Sequence, residues 1–460
     1  MRRAAHFLIA VSILCTLSPE GVQAQRERTP PAWTRKAVMY EVNVRQYTPE
    51  GTFQALRPHL PRITALGVDV IWFMPVQRIG TLNRKGLLGS YYSIADYRSI
   101  NPEFGNAADF KAVVADAHRL GMKVMIDWVP NHTSFDHVWV APHPDWYVHR
   151  ANGSISSAVS ESGVENDWTD VAQLNYDNQD MRRAMIADMR WWIDRMGVDG
   201  FRCDYASGVP LDFWVAARHA LSAAKPDIFM LAEAESPGLG EAFDMTYGWE
   251  LHHLLNDLAQ GKKPTSEVDG FVQRQKRAYR TADFHLNFTT NHDENSWNGT
   301  EFERMAANHL PAYILAATLR GSFPLLYTGQ EVSLSKRLRF FEKDTVDWKG
   351  PSLAAFYKSV FDLKHAQAAL WNGSWGGDES TLRTDGGTRV YAFTRVRGES
   401  EVLVAVNFGD AAAAVAYQGL DHPGGYTDWF ARTPVALPAS GRLDIPAHGY
   451  RVLVRGRATP

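Results

Sequence analysis

The sequence predicts an α/β fold: a (β/α)8 TIM barrel, a small inserted subdomain after the third strand, and a C-terminal antiparallel β-sandwich. Three observations carry this. Eight short apolar runs alternate with amphipathic stretches from Val38 onward; one long polar segment interrupts them; and after about residue 370 the helical pattern stops and apolar and polar residues alternate with turn residues between. Near-continuous apolar strands separated by helices mean parallel strands covered on both faces. Eight such units suggest a closed barrel.

The elements follow in order. "AVMYEVNV" (37–44) reads as the first strand and "TFQALRPHLPRITALG" (52–67) as a helix despite its two prolines. "VDVIWFMPV" (68–76) is the second strand, "NAADFKAVVADAHRLG" (106–121) a helix with a glycine stop, and "MKVMIDWVP" (122–130) the third strand. Residues about 133–175 are polar, rich in Gly and Ser, and aperiodic, as expected of a functional loop or an inserted subdomain. "NQDMRRAMIADMRWWIDRMG" (178–197) is a strongly periodic helix with Asn178 as its cap. Strands at 198–206, 228–235, 242–247, 284–293 and 323–331 alternate with helices at 210–226, 248–261, 301–321 and 353–370. "TRVYAFTRV", "EVLVAVNF", "AAVAYQGL" and "GRLDIPAHGYRVLVRG" then form the β-domain. The expected domains are a barrel over 25–369 and a β-domain over 370–460.

The N-terminus reads as a signal peptide. "MRRAAH" is a basic n-region, "FLIAVSILCTL" an apolar h-region too short to span comfortably, and Val22 and Ala24 fit the −3 and −1 positions of a cleavage site. Cleavage after Ala24 implies export to the periplasm or beyond, and leaves Cys203 as the only cysteine, so no intrachain disulfide is available. With 48 Lys+Arg against 51 Asp+Glu there is no basic excess to attract nucleic acid, and no other segment is apolar and long enough to span a membrane. The mature chain is expected to be a monomer. Aromatic residues make up 12%, including 15 Trp, a composition that suits sugar-binding surfaces as well as a core.

Acidic residues fall at the strand ends. Asp127 is near the end of the third strand, Asp204 of the fourth, Glu233 of the fifth and Asp293 of the seventh. These ends form the active-site face of a (β/α)8 barrel. Arg202, His132 and His292 accompany them. Arg202 and Asp204 sit two apart in a strand, and so share one face inside a core where an unpaired charge is costly.

These residues carry a resemblance. "DWVPNH" (127–132), "GFRCD" (200–204), "AEAE" (232–235) and "NHD" (291–293), with looser matches in "GVDVIWFMPV", "YYSIADYRSINPEFG" and "PLLYTGQE", resemble the α-amylase family, glycoside hydrolase family 13. The resemblance spans residues 38–331. It implies a retaining hydrolase of α-1,4-glucosidic bonds in starch or maltooligosaccharides. Asp204 would be the nucleophile, Glu233 the acid/base and Asp293 the third acid. Tyr92 would be the platform under the sugar, with His132, Arg202 and His292 as further substrate-binding residues. Asp127 would brace Arg202. Alternatives on the same machinery are a transglycosylase and an α-1,6- or α-glucosidase; a non-catalytic glycan-binding relative is a different class. Trp128, Trp168 and Trp297 are candidate subsite aromatics. Glu235 is assigned a loop role, and His137, His143 and His149 are expected to be solvated loop histidines, since their spacing fits no zinc motif.

The chain departs from the family pattern in places. Ser90-Tyr91-Tyr92 stands where His-Gly-Tyr is frequent. "YASGVP" follows Asp204 in place of a Lys-His pair tied to one calcium ligand, and Gln173 occupies the place of a common Asp. The first loop, "YTPEGT", lacks the acidic calcium loop of some relatives. No cofactor is required on this reading, and Asn131 is the one candidate calcium ligand.

Overall fold

The computed structural model describes residues 29–160 and 164–456, so the expected signal peptide, 1–24, lies outside the described residues. Eight parallel strands close into a barrel: β1 Met39–Val42, β2 Val70–Phe73, β3 Lys123–Trp128, β4 Gly200–Cys203, β5 Phe229–Ala232, β6 Met245–Tyr247, β7 Phe284–Asn287 and β8 Ser322–Tyr327. Each strand pairs with its sequence neighbours, and β8 closes on β1. Apart from Lys123 the strand residues are buried, which is why they read as apolar runs.

Strand parity sorts the side chains. Met39, Val70, Trp72, Met125, Phe229, Leu231 and Tyr247 pack inside the barrel. Phe201 and Cys203 belong to the outer cluster under the helices. Arg202, between them, points inward, and position 200 on the same face has no room for a side chain: a Cβ there would stand 2.5 Å from the Phe229 carbonyl.

The helices mostly follow the expected pattern. Ala107–Arg119 starts in a capping box of Asn106 and Asp109, and Asn178 caps Gln179–Trp191. Three differences have clear causes. The helix expected over 52–67 is split into Phe53–Leu56, a 3-10 turn at Arg57–His59 and Leu60–Ala65, because Pro58 and Pro61 remove backbone donors. The helix expected over 301–321 breaks between Met305 and His309, where Ala306 takes a positive φ of 47°. Glu267–Ala278 is a helix with no counterpart among the expected elements; only Val268, Phe271 and Val272 of it are buried, so its apolar signal is weak.

The inserted segment is pinned by a small antiparallel pair, His132–Ser134 with Val171–Gln173, and by isolated bridges such as Ser157 with Ala172. His137 within it is buried against Tyr97 and Trp139, contrary to the expectation of a solvated histidine. Beyond the last barrel helix, Ala354–Ala366, a six-stranded and a three-stranded antiparallel sheet enclose a core of their own. This domain rests on the barrel through Arg395, which donates to the Thr318 carbonyl at 2.9 Å, and Thr265, which donates to the Val390 carbonyl at 2.8 Å.

Candidate active site

The site is built on the C-terminal ends of β3, β4 and β5. Asp204 and Glu233 each extend the sheet by one residue: the Asp204 amide donates to the Trp128 carbonyl at 2.8 Å, and the Glu233 amide to the Cys203 carbonyl at 2.9 Å. Both carboxylates therefore stand on rigid backbone. Arg202 lies beneath them, fully buried. Its Nη1 donates to Asp127 Oδ1 at 3.0 Å and to Asp204 Oδ1 at 2.9 Å. Its Nε donates to the Tyr247 hydroxyl at 3.1 Å. Its Nη2 is 2.6 Å from Glu233 Oε1, close enough for an ion pair but poorly aligned for a hydrogen bond. One guanidinium thus spans three carboxylates, and the rings of Trp72, Tyr92 and Tyr247 surround it. Glu233 Oε2 also accepts the Tyr205 amide at 2.8 Å, which Tyr205 aims by adopting a left-handed φ of 42°.

A second chain of contacts starts on β1. Buried Glu41 stands 2.5 Å from His292 Nδ1. His292 Nε2 is 2.7 Å from the Tyr92 hydroxyl and 3.2 Å from Asp293 Oδ2. The Tyr92 hydroxyl also donates to Asp127 at 3.1 Å, joining the two chains. The Tyr92 ring stacks on His292 and on Phe340.

Burial and charge divide the titratable groups. Burial pushes Glu233 up to about 7; Arg202 opposes this, and Asp204 and Asp293 add to it. Burial pushes Asp204 up to about 6 against the pull of Arg202. Asp127, also buried, is pushed up to about 7. Burial would raise Asp293 as well, but the His292 imidazolium overcomes it and holds the carboxyl below its usual value. Burial would lower His292, but Asp293 and Glu41 hold it well above the ordinary imidazole value. Glu41 itself is raised by burial, which favours a neutral acid and so opposes the pairing. The short contact, with Asp293 facing the same ring, decides for the ion pair. His132 is lowered to about 4 by burial and is therefore neutral near pH 7.

Above these groups lies an open cavity of about 1600 Å³. That exceeds the ~300–1,000 Å³ of a small-molecule pocket and leaves room for an extended ligand. Tyr92, Asn131, His132, Asp204, Glu233 and Asp293 line it. Arg202, His292 and Asp127 do not: they lie under its floor at 0–1% exposure. Arg202 and His292 were expected to meet the sugar, and the geometry instead has them hold the residues that line the cavity. Of the candidate aromatics, Trp168 and Trp297 line the cavity, whereas Trp128 is fully buried and stacks on Tyr97. Glu235 accepts the Glu250 amide at 2.6 Å, at the start of the helix Trp249–Ala259. Cys203 is free and buried. Sequence reasoning missed Glu41 and Tyr247. Glu41 carried a usable signal, a lone carboxylate in an apolar strand, as at Asp204; Tyr247 carried none.

Fold and site define a (β/α)8 protein with a carboxylate cluster on its C-terminal rim. Residues 34–372 match the family model of the alpha-amylase catalytic domain, and the chain belongs to the alpha-amylase family. It is 28% identical over 421 residues to the alpha-amylase MalA of Haloarcula japonica, covering 86% of this chain and 59% of that protein. It is 26% identical over 426 residues to an alpha-1,4-glucan:maltose-1-phosphate maltosyltransferase of Streptomyces coelicolor, covering 86% of this chain and 61% of that protein. The chain therefore matches about three-fifths of the length of these relatives. Among solved structures, an alpha-amylase from Lactobacillus plantarum superposes with a TM-score of 0.82 at 30% identity, over 92% of this chain and 100% of that one.

Proposed function

We propose that the protein is an exported, retaining α-glucan hydrolase that cleaves α-1,4-glucosidic bonds through a covalent glycosyl-enzyme. The observation that carries this is the grip of one buried guanidinium on both Asp204 and Glu233 at the floor of a cavity large enough for several sugar units. Two carboxyl groups on one rim share that cation, and burial pushes Glu233 up to about 7 but Asp204 only to about 6, so near pH 7 Glu233 holds a proton more readily than Asp204, as the acid and nucleophile pair of retention requires.

In the first step an Asp204 oxygen bonds to the anomeric carbon as the glycosidic C–O bond breaks. Glu233 gives its proton to the departing oxygen, so the leaving chain departs as a neutral alcohol. In the second step water attacks the same carbon, its proton passes to Glu233, and Asp204 leaves as a carboxylate. Asp293, kept anionic by His292, faces the cavity where sugar hydroxyls lie, and Tyr92 offers its ring beside it.

Transfer to a sugar hydroxyl in place of water is the second reading, favoured by the maltosyltransferase relative. Incubation with starch, maltooligosaccharides, pullulan and trehalose, followed by product analysis and NMR of the first-formed anomer, tests both. Maltooligosaccharides released with α configuration are expected. Initial β products would overturn retention, and elongated products at high oligosaccharide concentration would favour transfer.

A further inference from the structure

Three oxygens converge beside the cavity: Asn131 Oδ1, the Asn131 carbonyl and the Leu174 carbonyl. Buried oxygens that face one another need a positive partner between them. Here the side-chain nitrogen of Gln173 meets all three, at 3.2, 3.0 and 3.3 Å, and the Leu174 amide also donates to the Asn131 carbonyl at 3.2 Å. Its orientation follows from its neighbours. Nε2 faces two backbone carbonyls, which only accept, and Oε1 takes the Val159 amide at 2.9 Å, which only donates. A flipped amide would set oxygen against oxygen and N–H against N–H. Asn131 and Gln173 are 1% and 5% exposed, so the contact is buried.

The family resemblance carries a calcium site here, with Asn131 as the expected ligand. The residues do not fit that ion. Calcium takes roughly six to eight oxygens at ~2.3–2.6 Å, carboxylates among them. The cage offers neutral oxygens already occupied by an N–H donor. Among the described residues no group of three or more His, Cys, Asp or Glu could hold a metal.

We propose that the Gln173 amide takes the place of a bound cation in this chain. It ties Asn131, which precedes the strand His132–Ser134, to the inserted segment at Val159 and Leu174. His132 follows, because the Asn131 side chain meets its Nδ1 at 3.2 Å. A clamp that a calcium ion would supply only when calcium is available is thus permanent, and the barrel rim is set in calcium-poor surroundings. This inference rests on the clamp and not on the identity of the glucan, and its test does not use activity.

Thermal unfolding of the purified chain in excess EDTA and in millimolar calcium tests it. The native chain should melt at the same temperature in both, within about 1 °C, because a ligand that does not bind the folded state does not stabilise it. Gln173→Glu keeps the shape and the Val159 bond but turns a donor into an anion facing three oxygens. It should melt at least about 2–4 °C lower in EDTA and recover in calcium. Gln173→Ala should lose stability equally in both media, and decides the matter if Gln173→Glu folds in neither. A native chain stabilised by calcium, a Gln173→Glu variant as stable as native in EDTA or indifferent to calcium, or a Gln173→Ala variant with no loss would each overturn the proposal.

Discussion

Glu41→Gln is the perturbation that tests the second chain of contacts. Glu41 is fully buried on β1, 2.5 Å from His292 Nδ1. The amide keeps the shape and an accepting oxygen but removes the negative charge. A hydrogen bond to a charged group is worth about 1.5–3 kcal/mol. At about 1.4 kcal/mol per pKa unit, His292 should lose its proton about 1–2 units lower than in the native protein. Without that cation, Asp293 loses the partner that holds it low, and the rim carries uncompensated negative charge. The assay is kcat/KM against pH with an α-glucosyl fluoride, whose leaving group needs no proton from Glu233. Its alkaline limb then reports His292 without the acid. That limb should move down by about 1–2 units, with the melting temperature recorded alongside to confirm folding. A profile superimposable on the native one, at unchanged kcat/KM, would refute the claim that Glu41 keeps His292 charged.

Further outcomes follow from the same geometry. With natural glucans, kcat/KM should rise as pH climbs through about 6, where Asp204 ionises, and fall above about 7, where Glu233 loses its proton. A flat profile across neutral pH would contradict these assignments. Asp204→Asn should fold normally and keep less than about a hundredth of native activity, measured as reducing-sugar release, since the nucleophile is gone. Cys203 should resist thiol reagents in the folded protein and react on unfolding, because burial pushes its thiol well above the usual value; rapid labelling of native protein would contradict its place in the barrel wall. Expression in an exporting host should give a chain that begins at Gln25, as read by N-terminal sequencing.

The barrel was legible because its strands are buried on both faces, which leaves continuous apolar runs with a carboxylate visible at the end. Asp204 and Glu233 stood out for that reason. What stayed hidden depends on contacts between distant parts of the chain. Glu41 and His292 are 251 residues apart, and no local pattern joins them. The reach of Arg202 to Glu233 depends on the register of β4 against β5, where Arg202 pairs with Leu231. His137 is buried because Tyr97, from outside the inserted segment, packs on it. The helix Glu267–Ala278 was obscured by its mostly exposed residues, and the prolines at 58 and 61 were visible while the break they cause was not inferred.

The central claim is that Asp204 attacks and Glu233 supplies the proton. Intact-protein mass spectrometry of Glu233→Gln mixed with an α-glucosyl fluoride tests it most directly. The fluoride departs without an acid, while release from Asp204 needs the base that the variant lacks. The account predicts a glucosyl adduct that accumulates and maps to the peptide containing Asp204. Added azide, which needs no general base, should discharge it as the α-glucosyl azide. No adduct, no azide rescue and an equal loss of activity on fluoride and glucan would contradict the account.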